Sequence, residues 1–131
     1  MTKKKVYISS KMTGLPDFNF PAFDKKAEEL RSMGFNVLNP AEIGRKYGTT
    51  KPIKFYRRKN LEMLLQADIL FVFGDIAGSR GVEFEIIVAK GLGLPVWREG
   101  AKEVVKDDGF LDKKRFETTS KRLYAVTRLW S

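Results

Sequence analysis

One continuous stretch of the chain decides its fold, because it joins an apolar run, a turn of small residues and a helix. It reads Ile69-Leu70-Phe71-Val72-Phe73-Gly74-Asp75 and, two residues later, Gly78-Ser79-Arg80-Gly81-Val82-Glu83-Phe84-Glu85. The apolar run is typical of a strand that is covered on both faces. The glycines and serine, followed by an apolar segment with carboxylates among its first residues, are typical of a helix N-terminus. The stretch therefore predicts a strand, a loop of the size that holds an anion, and a helix.

Strands and helices alternate along the rest of the chain as well. Apolar spacing, prolines and glycines predict strands over residues 4–8, 35–38, 69–73 and 95–97, and helices over residues 21–33, 52–66 and 82–91. A short helical or loop segment is predicted through Tyr47-Gly48, and a basic amphipathic helix over residues 114–129. This order implies a parallel sheet with right-handed crossovers.

The alternation predicts a single α/β domain, Rossmann-like or flavodoxin-like, over residues 1–131. We expect a parallel sheet of four or five strands flanked by helices in a core over residues 4–97, and a basic C-terminal extension over residues 98–131. Open sheets of this kind bind ligands at the carboxyl ends of their strands. That rule places at one edge Ser9 to Gly14, Asn39 to Glu42, Gly74 to Glu85 and the residues after Val96.

The composition restricts the chemistry that the chain can perform. It contains neither cysteine nor histidine, which excludes disulfides, thiol nucleophiles, zinc sites built on thiolate or imidazole, and histidine bases. Catalysis therefore has to use Asp, Glu, Lys, Tyr, Ser or Thr. No acidic cluster indicates an oxygen-ligand metal, so we expect neither a metal nor a cofactor.

The apolar segments are too short for a membrane span or a secretion signal. None approaches the ~20 residues needed to cross a bilayer. The basic N-terminus is followed only by Val6-Tyr7-Ile8 before polar residues, which is too short for the apolar region of a signal peptide. We expect a cytoplasmic protein with no membrane partner.

The chain is strongly basic, and the charge is concentrated in one segment. The formal net charge is +9, and residues 51–59 hold five basic residues without an acid. A basic field favours anionic partners, either phosphorylated small molecules or nucleic acid. It is also explained by a solvated surface that keeps the protein dispersed.

Several residues at the predicted ligand edge have both a structural and a functional interpretation. Gly78-Ser79-Arg80-Gly81 is either a phosphate-binding turn or an ordinary turn with Ser79 as N-cap. Glu83 and Glu85 either complement the helix dipole or, in the case of Glu85, which borders apolar residues, supply a nucleophile or base. Because they are two residues apart, they point to different faces.

Two further residues are candidates at the same edge. Tyr7, in the first strand, is either a core aromatic or a residue that orients a carboxylate. Asp75 ends the third strand and is a candidate ligand contact, whereas Asp68, which opens that strand, favours a cap or turn.

Three motifs together resemble the nucleoside 2-deoxyribosyltransferase superfamily, and a small, often phage-borne branch of it in particular. The motifs are Val6-Tyr7-Ile8-Ser9-Ser10-Lys11-Met12-Thr13-Gly14 with Asn19-Phe20-Pro21-Ala22-Phe23; Asn39-Pro40-Ala41-Glu42; and Asn60-Leu61 through Ala67-Asp68, joined to Gly78-Ser79-Arg80-Gly81 and Glu85. The resemblance covers roughly residues 4–97.

The resemblance implies cleavage of an N-glycosidic bond in deoxynucleosides or their 5′-monophosphates, by hydrolysis or by transfer to a second base. Glu85 matches the family's nucleophile, and Tyr7 matches the tyrosine that orients it. Ser79 matches the serine of the branch of 2′-deoxynucleoside 5′-phosphate N-hydrolases. This match implies that Ser79 belongs to a phosphate site, which would also include Arg80, Gly81, Ser10, Thr13 and Gly14. A homodimer or larger homo-oligomer is implied too, in the host cytoplasm if the chain is phage-encoded.

One position departs from the family pattern. The aspartate that handles the leaving base aligns with Asn60, whose amide forms hydrogen bonds but donates no carboxylic proton. Asn60 and Asp75 are then the predicted base contacts. Asn60 supports one alternative, a catalytically degenerate protein that binds a nucleotide or a nucleotide-derived signal. The basic segment over residues 51–59 and the basic C-terminus support another, less favoured, which is a basic protein associated with nucleic acid.

Overall fold

The computed structural model describes residues 3–99 and 124–125. The strands are β1 (Lys5–Ser9), β2 (Asn36–Leu38), β3 (Ile69–Val72), β4 (Val96–Glu99) and β5 (Tyr124–Ala125). The α-helices are α1 (Phe20–Ser32), α2 (Ala41–Tyr47), α3 (Ile53–Leu64) and α4 (Arg80–Gly91), and a short turn over Pro16–Asn19 precedes α1. The segments predicted within residues 4–97 are therefore present with boundaries shifted by one or two residues, and the segment through Tyr47 is helix α2.

The strands form one sheet in the order β2-β1-β3-β4-β5. The first four are parallel, and β5 is antiparallel to β4. This confirms the predicted α/β fold with a parallel sheet flanked by helices, and the strand order is the flavodoxin-like one. β1 lies between β2 and β3, so its end is surrounded by the ends of its neighbours.

The core has two layers, one on each face of the sheet, and β1 contributes to both. Val6 and Ile8 pack with Phe23, Ala27 and Leu30 of α1 on one face. Tyr7 faces the other side with Leu64 of α3 and with Val82, Ile86 and Ala89 of α4. Successive residues of a strand point to opposite faces, so the alternation along β1 places Tyr7 under α4.

The predicted C-terminal helix over residues 114–129 is wrong at Tyr124–Ala125. These two residues form β5, in which Ala125 pairs with Arg98 and Tyr124 with Glu99 of β4. The outer edge of β4 offers unpaired N–H and C=O groups, and pairing with them overrides the weak amphipathic pattern. The other residues of the predicted helix, and most of the extension over residues 98–131, lie outside the described residues.

In the described part of the chain, no helix has both the length and the apolar composition that crossing a bilayer requires.

Truncation in the α1 layer is expected to destabilise the protein strongly. Leu30 is fully buried, whereas Leu65 is 58% exposed. Leu30→Ala should lower the free energy of unfolding by about 2–5 kcal/mol, because it removes buried apolar surface and leaves a cavity. Leu65→Ala, the matched control, should change it by about 0.5 kcal/mol or less. Urea unfolding measures both, and equal losses would contradict the described core.

Candidate active site

The candidate site lies at the carboxyl edge of the sheet, where the loops after β1 and β3 meet the start of α4. The Ser10 hydroxyl donates to the Phe73 carbonyl at 2.6 Å, and the Lys11 ammonium donates to the Ala77 carbonyl at 3.3 Å. Gly74 has φ +73°, and a Cβ there would lie 3.1 Å from the Ser10 hydroxyl oxygen. Glycine is therefore required where the two loops cross.

Glu85 is the buried carboxylate of this site, with 9% of its surface exposed. It lies in the second turn of α4, on the helix face that also carries Val82, Ile86 and Ala89. That apolar face packs on the sheet, so the side chain is carried inward, as predicted for Glu85. Glu83 is exposed, which confirms that the two carboxylates point to different faces.

Two hydroxyl groups from β1 hold the Glu85 carboxylate. The Tyr7 phenol donates to Oε2, and the Ser9 hydroxyl donates to Oε1 at 2.7 Å. Tyr7 and Ser9 are two residues apart, so they lie on the same face of the strand. Both carboxylate oxygens are thereby engaged, which fixes the orientation of the side chain.

Burial dominates the acid–base behaviour of this pair. Burial raises the pKa of Glu85 from its ordinary value of 4.5 to about 7, although the hydrogen bonds from Tyr7 and Ser9 and the charge of Arg57 act to lower it. Burial, the nearby charge of Glu85 and the hydrogen bond to it all raise the pKa of Tyr7. Near neutral pH both the protonated and the ionised forms of Glu85 are therefore populated, while Tyr7 remains a hydrogen-bond donor.

The residues predicted to bind phosphate lie around the same edge. Ser79 caps α4, its hydroxyl accepting from the Val82 N–H at 3.3 Å, so the structural interpretation of this serine is realised. Gly81 lies in the first turn with open space where a side chain would be. Arg80, Thr13 and Gly14 are exposed, and Ser10 is buried through its bond to Phe73.

The two predicted base contacts are not hydrogen-bonded to Glu85. Asp75 is exposed and accepts from the Ala77 N–H at 3.0 Å within its own turn. Asn60 is half-buried on α3, the helix that packs beside α4. Within residues 3–99 and 124–125, the hydrogen-bond partners of the Glu85 carboxylate are Tyr7 and Ser9 alone.

Sequence reasoning placed Ser9 at the ligand edge without giving it a role, and it missed Arg57 as a residue of this site. The signal for Ser9 was its spacing of two from Tyr7 in a strand. Arg57 was assigned only to the basic run, yet it lies four and seven residues before Leu61 and Leu64, so it shares the inward face of α3.

No group of three or more acidic residues is placed to hold a metal ion among the described residues.

Arg98, at the end of β4, donates to the Gly74 carbonyl at 2.6 Å and joins the ends of β3 and β4.

Comparison with known proteins identifies both a family and a fold. The model of the family described as Domain of unknown function (DUF4406) matches residues 4–98. The structure is similar to a 2-deoxyribosyltransferase from Bacillus psychrosaccharolyticus, with 25% identity and a TM-score of 0.59 over 78% of this chain and 77% of that chain. No curated protein matches the chain.

A 2-deoxyribosyltransferase from Leishmania mexicana shares the fold, with 19% identity and a TM-score of 0.56 over 82% of this chain and 76% of that chain. The fold is therefore nucleoside 2-deoxyribosyltransferase-like, as the sequence motifs predicted.

The raised pKa of Glu85 should make stability depend on pH. Between pH 4.5 and about 7 the folded protein keeps a proton that the unfolded chain releases, so stability should fall as pH rises through this range. Relative to Glu85→Gln, which does not titrate, the wild-type protein should lose up to roughly 3 kcal/mol between pH 4 and pH 8. Urea unfolding at several pH values measures the difference, and parallel pH curves for the two proteins would contradict it.

Proposed function

We propose a function for this chain from two premises: it belongs to the family described as Domain of unknown function (DUF4406), and its fold is that of 2-deoxyribosyltransferases. The proposed reaction is cleavage of the N-glycosidic bond of (deoxy)nucleoside 5′-monophosphates, by hydrolysis or by transfer of the deoxyribosyl group. The observation that carries the proposal is the buried Glu85 carboxylate, which Tyr7 and Ser9 hold at the ligand edge of the sheet.

Glu85 is the proposed nucleophile. Its ionised carboxylate attacks the anomeric carbon as the bond to the base breaks, and a glycosyl-enzyme forms through an oxocarbenium-like transition state. Water or a second base then attacks the same carbon and releases Glu85. Tyr7 and Ser9 keep the carboxylate in one orientation, so that little freedom is lost when the reaction begins.

The proposed phosphate site is the start of α4 with the loop after β1. N–H groups of the first turn and the dipole of the 12-residue helix favour an anion. Because Gly81 leaves open space, a phosphate can approach the backbone there. Ser79 and Arg80 supply a hydroxyl and a charge, and Ser10, Thr13 and Gly14 border the site from the first loop.

The leaving base is proposed to contact Asn60 and Asp75. The amide of Asn60 orients a base through hydrogen bonds but cannot protonate it. The Asp75 carboxylate is exposed, and one of its oxygens accepts a hydrogen bond within its own turn, which leaves the other oxygen to contact the base. The reaction should therefore favour bases that depart readily without protonation.

Removing the Glu85 carboxylate should abolish the release of base. With a panel of deoxynucleoside 5′-monophosphates, Glu85→Gln should lower the rate by about 10³-fold or more, because the covalent route is lost. Tyr7→Phe should lower it by about 10–100-fold through loss of orientation. Chromatography of the free base measures the rates.

Glu83→Gln is the matched control for this experiment, because Glu83 is an exposed carboxylate on the same helix. Its rate should equal that of the wild type. No release by wild-type protein on any substrate, or undiminished release by Glu85→Gln, would refute the proposed reaction.

A second candidate function, favoured by Asn60, is the binding of a nucleotide or nucleotide-derived signal without turnover. Asn60 is half-buried on α3, and the sequence resemblance implies that the enzymes of the family carry a carboxylic acid at this position. Calorimetry that shows saturable binding of an intact nucleotide, together with no free base, would favour this function over the reaction.

Asn60→Asp should distinguish the two functions. If the protein is an enzyme limited by departure of the base, an added carboxylic acid should raise the rate by about 10²–10⁴-fold, most for bases that leave poorly. The rates of wild type and variant are compared on the same panel of monophosphates. An equal rate in the two proteins would show that residue 60 does not act on the leaving base.

A further inference from the structure

Arg57 is a cation close to Glu85 that neither the sequence motifs nor the proposed reaction uses. It lies in the first half of α3 and is half-buried. Because α3 returns the chain from the end of β2 to the start of β3, its first half lies toward the carboxyl edge of the sheet. The guanidinium carbon lies 6.0 Å from the centroid of the Phe84 ring, and Phe84 directly precedes Glu85.

The hydrogen-bonding capacity of Arg57 is not used within the described part of the chain. Arg31 and Arg45 form ion pairs with Glu42 and Asp24. Among residues 3–99 and 124–125, by contrast, no carboxylate pairs with Arg57, and no acceptor there takes a hydrogen bond from it. A guanidinium has five N–H donors, and a cation–π contact with the Phe84 ring leaves those donors available.

The charge of Arg57 nevertheless acts electrostatically on Glu85. Burial has the largest effect on the pKa of Glu85 and raises it. The hydrogen bonds from Tyr7 and Ser9 lower this pKa, and so does the positive charge of Arg57. The polar groups facing Glu85 are thus Tyr7 and Ser9 from β1 and Arg57 from α3. Tyr7 and Ser9 donate to the two carboxylate oxygens, whereas Arg57 acts on Glu85 through its charge without a hydrogen bond to it.

We propose that Arg57 is a ligand-binding residue that receives a negatively charged group of the ligand beside Glu85. The inference rests on the proposed function and identifies a determinant of its substrate class. The negative charge has two sources within one nucleotide: the 5′-phosphate, charged before reaction, and the base nitrogen, which gains charge during reaction.

The second source is consistent with Asn60 donating no proton. As a Glu85 oxygen bonds to the anomeric carbon, the electron pair of the broken bond passes to the base nitrogen. Arg57 stabilises that charge by hydrogen bonding and keeps its own proton, since a guanidinium stays protonated in proteins. Water then supplies the proton to the released base.

Substrate kinetics test the proposal. Arg57→Met removes the charge, Arg57→Lys keeps the charge without the planar fork, and Arg58→Met is the matched control, since Arg58 is its exposed neighbour. Each variant is assayed on a deoxynucleoside 5′-monophosphate and on the corresponding deoxynucleoside. Arg57→Met should lose about 10–100-fold in kcat/KM, the usual effect of a charge-assisted hydrogen bond, with partial recovery in Arg57→Lys.

The pattern of loss separates the two sources of charge. A loss confined to the monophosphate assigns the phosphate to Arg57. An equal loss on both substrates, increasing with the pKa of the departing base, assigns the leaving base. If Arg57→Met matches Arg58→Met on every substrate, the proposal is overturned.

Two measurements keep the test independent of turnover. Carbon-13 NMR of the Glu85 carboxyl should show a higher pKa in Arg57→Met than in wild type, and no change in Arg58→Met. Calorimetry should show that the double variant Glu85→Gln, Arg57→Met binds the monophosphate at least about 10-fold more weakly than Glu85→Gln alone, if the phosphate is the group that Arg57 binds.

If wild type releases no base from any substrate, the proposed reaction fails while these two measurements still decide the role of Arg57. Unchanged binding of the monophosphate overturns the proposal in that case, whether or not the Glu85 pKa changes.

Discussion

The buried contact between β1 and α4 is the constraint on which the site depends. Tyr7 and Ser9 each donate a hydrogen bond to Glu85, so a central strand and a helix of one sheet face are joined at a carboxylate. Burying such a group is unfavourable unless its oxygens find donors. These two hydroxyls provide them, and in doing so they set the position of the reactive group at the edge where ligands bind.

The fold was predictable because its signals are local and repeated. The apolar run of β3, the glycine turn and the apolar face of α4 require no knowledge of distant residues. The role of Ser9 depended on strand alternation, which was available but unused. Tyr124–Ala125 could not be placed, because a two-residue strand is determined by the free edge of β4 rather than by its own pattern.

The site was predictable to the extent that helix and strand periodicity determine which face of an element a side chain lies on. The spacing of Glu83 and Glu85 correctly separated an exposed from a buried carboxylate. Arg57 escaped notice because a run of five basic residues over 51–59 has the appearance of a uniform charged surface. Its spacing of four and seven residues from Leu61 and Leu64 was available but unused, and in the structure Arg57 is half-buried with its charge acting on Glu85, while its neighbour Arg58 is exposed.

The absence of histidine and cysteine explains why so much depends on the environment of one glutamate. A solvated carboxylate near its ordinary pKa of 4.5 is ionised at neutral pH but weakly basic, whereas burial alone would keep it protonated. Donors from Tyr7 and Ser9 and the charge of Arg57 oppose burial, and the balance gives a pKa of about 7. A carboxyl group with a pKa of about 7 is partly ionised at neutral pH, and its ionised form is more basic than that of a solvated carboxylate. An anionic group arriving beside Arg57 would offset part of the cationic influence on Glu85, so ligand charge and nucleophile charge are coupled through this arginine.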